Sequence, residues 1–176
     1  TEGQSVTFVY IDGTQGWVNV LDSTSNVRGN NFLVATGGTP SQCGDYEIRS
    51  FTGPGTFCVS SVGAVAPNNA VDYLVVAGGA SGGFGDGGGG GAGGYRYSFC
   101  NPGAAGITVT ATGYPIVVGA GGTSPGVGGT GADGSTASFS TITSAGGGGG
   151  GANSGPAGDG QGRDGGSGGG SYYNKT

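Results

Sequence analysis

Two unbroken glycine runs, Gly87 to Gly91 and Gly146 to Gly151, set the tightest limit on what this chain can fold into. Glycine has no side chain to bury and loses more backbone freedom on folding than any other residue. Fixing each residue costs roughly 1–2 kcal/mol, and 48 of the 176 residues are glycine. A core of apolar side chains is therefore thin in so small a chain. The backbone itself has to provide much of the packing.

Flexible or disordered glycine-rich segments usually lack aromatics and β-branched residues. Here such residues are interleaved with the glycines, and a short β-branched stretch runs straight into glycine at three places. Val71 to Ala77 enters Gly78-Gly79, Tyr114 to Val118 enters Gly119 to Gly122, and Ser138 to Ala145 enters Gly146 to Gly151. The recurrence is one of structure, since its spacing is too uneven for a fixed sequence period.

An extended three-fold helix has no internal hydrogen bonds and points its N–H and C=O groups sideways. Several such helices can bond to one another laterally if hydrogen stands where Cβ would otherwise stand. Only an all-glycine strand can be enclosed on every side, which makes Gly146 to Gly151, about 19 Å long at ~3.1 Å per residue, the expected centre of the array. Stretches with side chains at intervals, such as Gly119 to Gly129 and Gly155 to Gly170, are expected around it. Collagen is the poorer fit, because Gly155-Pro156-Ala157-Gly158-Asp159-Gly160 breaks the three-residue period at once. The expected fold is all-β with a glycine-rich region: short β-hairpins followed by a polyglycine II helix bundle from residue 71 to residue 176.

Ahead of that region, Val6 to Ile11 and Trp17 to Leu21 read as a hairpin turned at Asp12-Gly13. Residues 23–70 read as a linker and a second hairpin region. With Thr52-Gly53-Pro54-Gly55 as a four-residue loop, Phe51 faces Thr56, Ile48 faces Val59 and Tyr46 faces Ser61. Tyr46, Ile48, Phe57 and Val59 then share one face. This register sets Cys58 about 20 Å along the strand from Cys43, too far for a bridge. Of the three cysteines, Cys58 and Cys100 are the better-placed pair for a disulfide, and buried or incidental thiols are the alternative.

Charge and motifs exclude several functions. The net charge is −5, with Arg28, Arg49, Arg96, Arg163 and Lys175 as the only cations, so no basic patch exists for nucleic acid. No apolar run is long enough for a membrane-spanning helix. The absence of methionine and the start at Thr1 read as a segment of a longer or processed polypeptide. There is no histidine, hence no histidine-based triad, and the carboxylates are scattered, so the chain reads as non-enzymatic. Gly83-Phe84-Gly85-Asp86-Gly87-Gly88 matches the dinucleotide pattern, but no helix-forming segment follows to receive a pyrophosphate. Gly128 to Asp133 begins a calcium-binding β-roll repeat that works only in tandem, and Ser135 stands where a large apolar residue belongs. No cofactor or metal is expected, and Asn174-Lys175-Thr176 is a glycosylation sequon by pattern alone.

The informative side chains are aromatic. Phe84, Tyr95, Tyr97, Phe99, Tyr172 and Tyr173 lie between or beside glycine runs, where they either cap the glycine array against water or form a recognition surface. The contact segments are Ala80 to Asp86, Tyr95 to Asn101 and Asn153 to Asp164. Within them Phe84, Asp86, Tyr95, Arg96, Tyr97 and Phe99 are the candidate receptor-binding residues.

The order of segments VTFVYIDGTQGWVNVLDSTSNV, FLVATGGT, DYEIRSFTGPGTF, VDYLVVAGG, GGGGGAGGYR, YPIVVGAGG and FSTITSAGGGGGG resembles the glycine-rich tail-fibre proteins of marine phages, especially those that infect cyanobacteria. The resemblance implies an extracellular fibre with a polyglycine-bundle adhesin region and a host-surface glycan or protein as partner. It also implies that residues 1–22 close a preceding β-rich stalk domain, a kind that is commonly trimeric. A structural subunit of an extracellular filament, built by open-ended contacts between strand edges, is the alternative of a different class.

Overall fold

The computed structural model describes residues 6–10, 17–22, 32–63, 69–153 and 160–172. The Asp12-Gly13 turn, Tyr173, the terminal sequon and half of the Asn153 to Asp164 segment lie outside them. Every regular element among the described residues is a strand, so the chain is all-β with a glycine-rich region.

β1 (Val6–Tyr10) and β2 (Trp17–Asp22) pair antiparallel, Tyr10 opposite Trp17, as the alternating apolar pattern predicts. The main sheet is antiparallel and five-stranded. It contains β3 (Val34–Thr36), β6 (Gly55–Ser61), β11 (Gly113–Val117), β12 (Ala137–Phe139) and β13 (Ile142–Ser144), in the order β13-β12-β11-β6-β3. Two strand pairs flank it: β7 (Ala70–Val71) with β10 (Ile107–Thr108), and β8 (Leu74–Val76) with β9 (Tyr95–Tyr97). Alternate residues of β6 point inward, so Phe57 and Val59 are buried while Thr56 and Cys58 are exposed. They form a small core with Ala35, Val75, Val109, Ala137 and Phe139, in which the Phe57 and Phe139 rings meet edge to face at 5.8 Å.

The expected pairing of residues 46–51 with 56–61 does not form. β5 (Tyr46–Ser50) instead folds back on β4 (Thr39–Cys43), with Cys43 opposite Tyr46 and Thr39 opposite Ser50. The turn is Gly44-Asp45, where Gly44 takes φ +58°, the left-handed conformation a two-residue hairpin loop requires. Thr52 to Gly55 is a corner between sheets, and the Phe51 ring lies against the bare backbones of Gly37, Gly38 and Gly55. β6 is thereby freed to pair with β3 and β11. Tyr46 and Ile48 consequently stand exposed on the β4–β5 arm and do not share a face with Phe57 and Val59. The register argument about Cys43 falls with that hairpin. All three thiols are free and exposed. Cys58 is mid-strand in the main sheet and Cys100 is in the turn after β9, so the Cys58–Cys100 bridge is not formed.

The three strand-to-glycine passages are present, with one change. Ser138 to Ala145 is not one strand but a tight hairpin broken at Ser140-Thr141, where Ser140 takes φ +55°. The reversal brings Phe139 into the core against Phe57 and leaves Ile142–Ser144 to lead into the long glycine run.

Beyond the strands, seven extended segments run side by side: I (77–84), II (87–94), III (118–123), IV (129–136), V (145–153), VI (160–163) and VII (166–172). They continue the strands: I leaves β8, II enters β9, III leaves β11, IV enters β12 and V leaves β13. Their hydrogen bonds run between segments and recur every third residue. The N–H groups of Ala77, Ala80 and Gly83 donate to segment II, and those of Gly78, Ser81 and Phe84 donate to segment IV. The carbonyls of Gly78, Ser81 and Phe84 accept from Gly147, Gly150 and Asn153 of segment V. I and V therefore run parallel, while I is antiparallel to II and IV.

Segment V is the most enclosed. It exchanges main-chain bonds with I, II, IV, VI and VII, and residues 146–152 are all buried. A Cβ on any glycine from Gly146 to Gly151 would come closer than 3.0 Å to a neighbouring carbonyl oxygen, a distance real Cβ atoms do not reach. The six positions are thus held to glycine by rigid backbone on all sides, not by turn geometry. Gly89 is different, with nothing within 4 Å of its Cβ position.

Gly148→Ala is expected to cost more than ~3 kcal/mol, because backbone cannot rearrange around it. Gly89→Ala stays within ~1 kcal/mol of wild type and on the stabilising side, through reduced freedom of the unfolded chain. Thermal unfolding of the two single variants against wild type checks the contrast.

Candidate functional site

The glycine array has two ends, and the six sequence-predicted residues divide between them. At the end away from the sheets, segment I stops at Phe84 and turns through Gly85, φ +72°, and Asp86. Phe84 N–H donates to Gly129 O, and Asn153 N–H donates to Phe84 O at 3.2 Å. The Asn153 amide reaches Asp86 Oδ2 at 3.5 Å. The turn joining III to IV arrives at the same place and holds Val127 almost wholly exposed. Phe84, Asp86, Val127 and Asn153 thus form one distal cluster, mounted on segments whose backbones are bonded laterally along their length.

Tyr95, Arg96, Tyr97 and Phe99 are at the opposite end, on β9 and just after it. Cross-strand pairing sets Leu74 opposite Tyr97 and Val76 opposite Tyr95, all four exposed on the outer face of the ribbon. The Tyr95 and Tyr97 ring centroids are 5.2 Å apart. Arg96 is opposite the buried Val75, on the other face of the ribbon from Tyr95 and Tyr97, and is itself exposed. Phe99 meets Tyr46 of the β4–β5 arm edge-on at 5.5 Å. No sequence signal linked Tyr46 to this cluster, because the contact depends on the β4–β5 pairing.

Between β9 and the β13 end lies an open cavity of about 390 Å³, lined by Tyr73, Tyr95, Arg96, Tyr97, Asn101 and Ser144 among others. Its walls are fixed by hydrogen bonds. Ser98 Oγ donates to Asp72 Oδ1 at 2.7 Å and accepts from Tyr73 N–H at 3.0 Å. Asn101 donates from Nδ2 to Tyr97 O at 3.1 Å and accepts Gly103 N–H at 3.0 Å. The Ser144 hydroxyl is buried and has no hydrogen-bond partner among the described residues. A second hollow, about 310 Å³, surrounds the Phe51 corner and is lined by residues 37–39 and 50–56, none of them charged.

A model of the glycine-rich domain family matches residues 52–176. The chain belongs to that family. The match covers the whole of the glycine-rich domain from β6 onward, and no curated protein and no solved structure matches the chain.

Asp133 of the glycine-rich domain, singled out by the β-roll pattern, has a structural occupation. Its Oδ1 accepts the N–H of Gly149 at 2.8 Å and the Nε–H of Arg163 at 3.0 Å. Arg163 also donates to Gly131 O. The pair closes the flank of segment V at Gly149, whose N–H bonds the Asp133 carboxylate. Among the described residues no group of three or more Asp, Glu or Cys gathers at a metal-binding spacing. Away from both ends, the Tyr114 phenol is held below the ordinary tyrosine pKa range by the Thr110 hydroxyl and then by Thr110 N–H, at 2.8 Å. Hydrogen bonding to its oxygen favours the phenolate.

Asp133→Ala leaves the Gly149 N–H inside the array without an acceptor, which costs ~1–3 kcal/mol. Arg163→Ala in the Asp133→Ala background is expected to add less than it does alone, since both act on one contact. A double-mutant cycle by urea unfolding measures this.

Proposed function

We propose that the chain is a non-enzymatic tail-fibre or adhesin module that recognises a host surface, with its glycine segments in a polyglycine II-type bundle. The observation that carries the reading is the three-residue repeat of hydrogen bonds from segment I to II and IV and from V to I. A three-fold extended helix turns its N–H groups outward at that interval. A bundle so bonded is a stiff support on which short turns stay ordered without a large side-chain core. Recognition loops on a rigid frame lose little entropy on binding.

The distal cluster of Phe84, Asp86, Val127 and Asn153 is the host-contact surface in this reading. Its chemistry, an exposed aromatic and an exposed aliphatic side chain beside a carboxylate and an amide, suits a saccharide or a protein surface. The resemblance of the segment order to tail-fibre proteins of marine phages, especially those that infect cyanobacteria, suggests the biological setting: an extracellular fibre, a homo-oligomeric stalk ahead of this region, and a cyanobacterial cell as the target.

A fluorescent fusion of the chain should label host cyanobacteria and not unrelated cells. Phe84→Ala should lower labelling at equal concentration by roughly fivefold or more, the effect of losing one interface anchor. Open-ended helical polymers of the chain with no cell labelling would favour the filament subunit instead, and labelling unchanged by Phe84→Ala would remove the distal cluster from the contact.

A further inference from the structure

The geometry points to a second binding site, for a carboxylate-bearing sugar, in the cavity between β9 and the end of β13. It stands apart from the distal cluster and holds whether or not that cluster touches a host. Three independent features of the cavity converge on this ligand class.

The first is charge. Among the described residues, Arg49 is paired with Glu47 and Arg163 with Asp133, while Arg96 makes no ion pair. An unpaired guanidinium in a chain of net charge −5 is a local positive centre. Its fork of N–H donors matches a carboxylate.

The second is the main chain of β9. Ala77 N–H donates to Gly94 O and Ser98 N–H donates to Tyr73 O, both at 3.0 Å. Antiparallel alternation between those two bonds sets Val75 and Arg96 in the bonded register and turns the main-chain groups of Tyr95 and Tyr97 to the other edge. Tyr97 O is taken there by Asn101. The Tyr95 N–H and C=O and the Tyr97 N–H have no main-chain partner among the described residues. The edge therefore offers both donors and an acceptor, as hydroxyl groups need.

The third is size. The volume of about 390 Å³ suits one or two sugar rings, being at the small end of ligand pockets. An extended peptide fits less well, because β9 presents an edge of only three residues.

In the bound state the carboxylate sits on the Arg96 guanidinium and ring hydroxyls bond the β9 edge. The test is an NMR titration of the 15N-labelled chain with methyl glucuronide and with a glucuronate-containing disaccharide, each against its neutral glucose counterpart. Saturable shifts are expected at the amides of residues 94–101 and 144–145, with the neutral sugars at least about tenfold weaker. Arg96→Gln should bring the acidic sugar down to the affinity of the neutral one. Equal affinity for neutral and acidic sugars, no effect of Arg96→Gln, shifts confined to residues 84–86 and 124–128, or preference for an acidic peptide would each overturn the assignment.

Discussion

A carbonyl oxygen seated where a Cβ would otherwise stand is the contact on which this molecule depends. At Gly146 to Gly151 the neighbouring backbones approach so closely that no side chain fits on any residue of the run. Each such approach brings hydrogen-bond partners into lateral reach, so every C=O of the run and the N–H groups of Gly147, Gly148, Gly150 and Gly151 bond adjacent segments. Buried main-chain groups must be paired somewhere, and here the pairing and the packing are one arrangement. Glycine's entropic cost is offset by a density of backbone contact that no other residue permits.

The sheets make that arrangement possible by fixing where the segments begin. β8 and β9 pair where segment I leaves and segment II enters, and β11, β12 and β13 lie side by side where III, IV and V continue or join them. Strand pairing selects neighbours and direction through side chains, with Phe57, Val59, Val75 and Phe139 burying the apolar faces. Glycine segments alone carry little information about register. The small core therefore specifies, and the array supplies length and stiffness toward the distal turns.

Much of this was legible in the residues. The enclosure of Gly146 to Gly151, the passages from β8 and β11 into glycine, and the inward Phe57 and Val59 all follow from sterics and two-residue alternation. The reversal at Ser140-Thr141 was not legible, because Ser140 is an unusual residue to take positive φ and the gain comes from Phe139 reaching a distant Phe57. The pairing of β5 was misread for a related reason. Tyr46 and Ile48 have the same parity whether they face β6 or lie on an exposed arm, so alternation cannot distinguish the two, and the turn signal at Gly44-Asp45 was the deciding one. Of the candidate site, the individual aromatics and Arg96 were visible, but their division between two ends depends on how far segment I runs before it turns. The free β9 edge emerges only from tertiary pairing.

The central claim is that glycine backbone, and not side-chain burial, forms the most protected part of the structure. Native-state amide hydrogen exchange resolved by residue tests it most directly. The account predicts that Gly147, Gly148, Gly150 and Gly151, whose N–H groups bond segments I and VII, exchange at least as slowly as Val59 and Val75 of the small core, through opening that approaches global unfolding. Exchange of those glycines on the timescale of an unstructured chain, with protection confined to the strands, would contradict it.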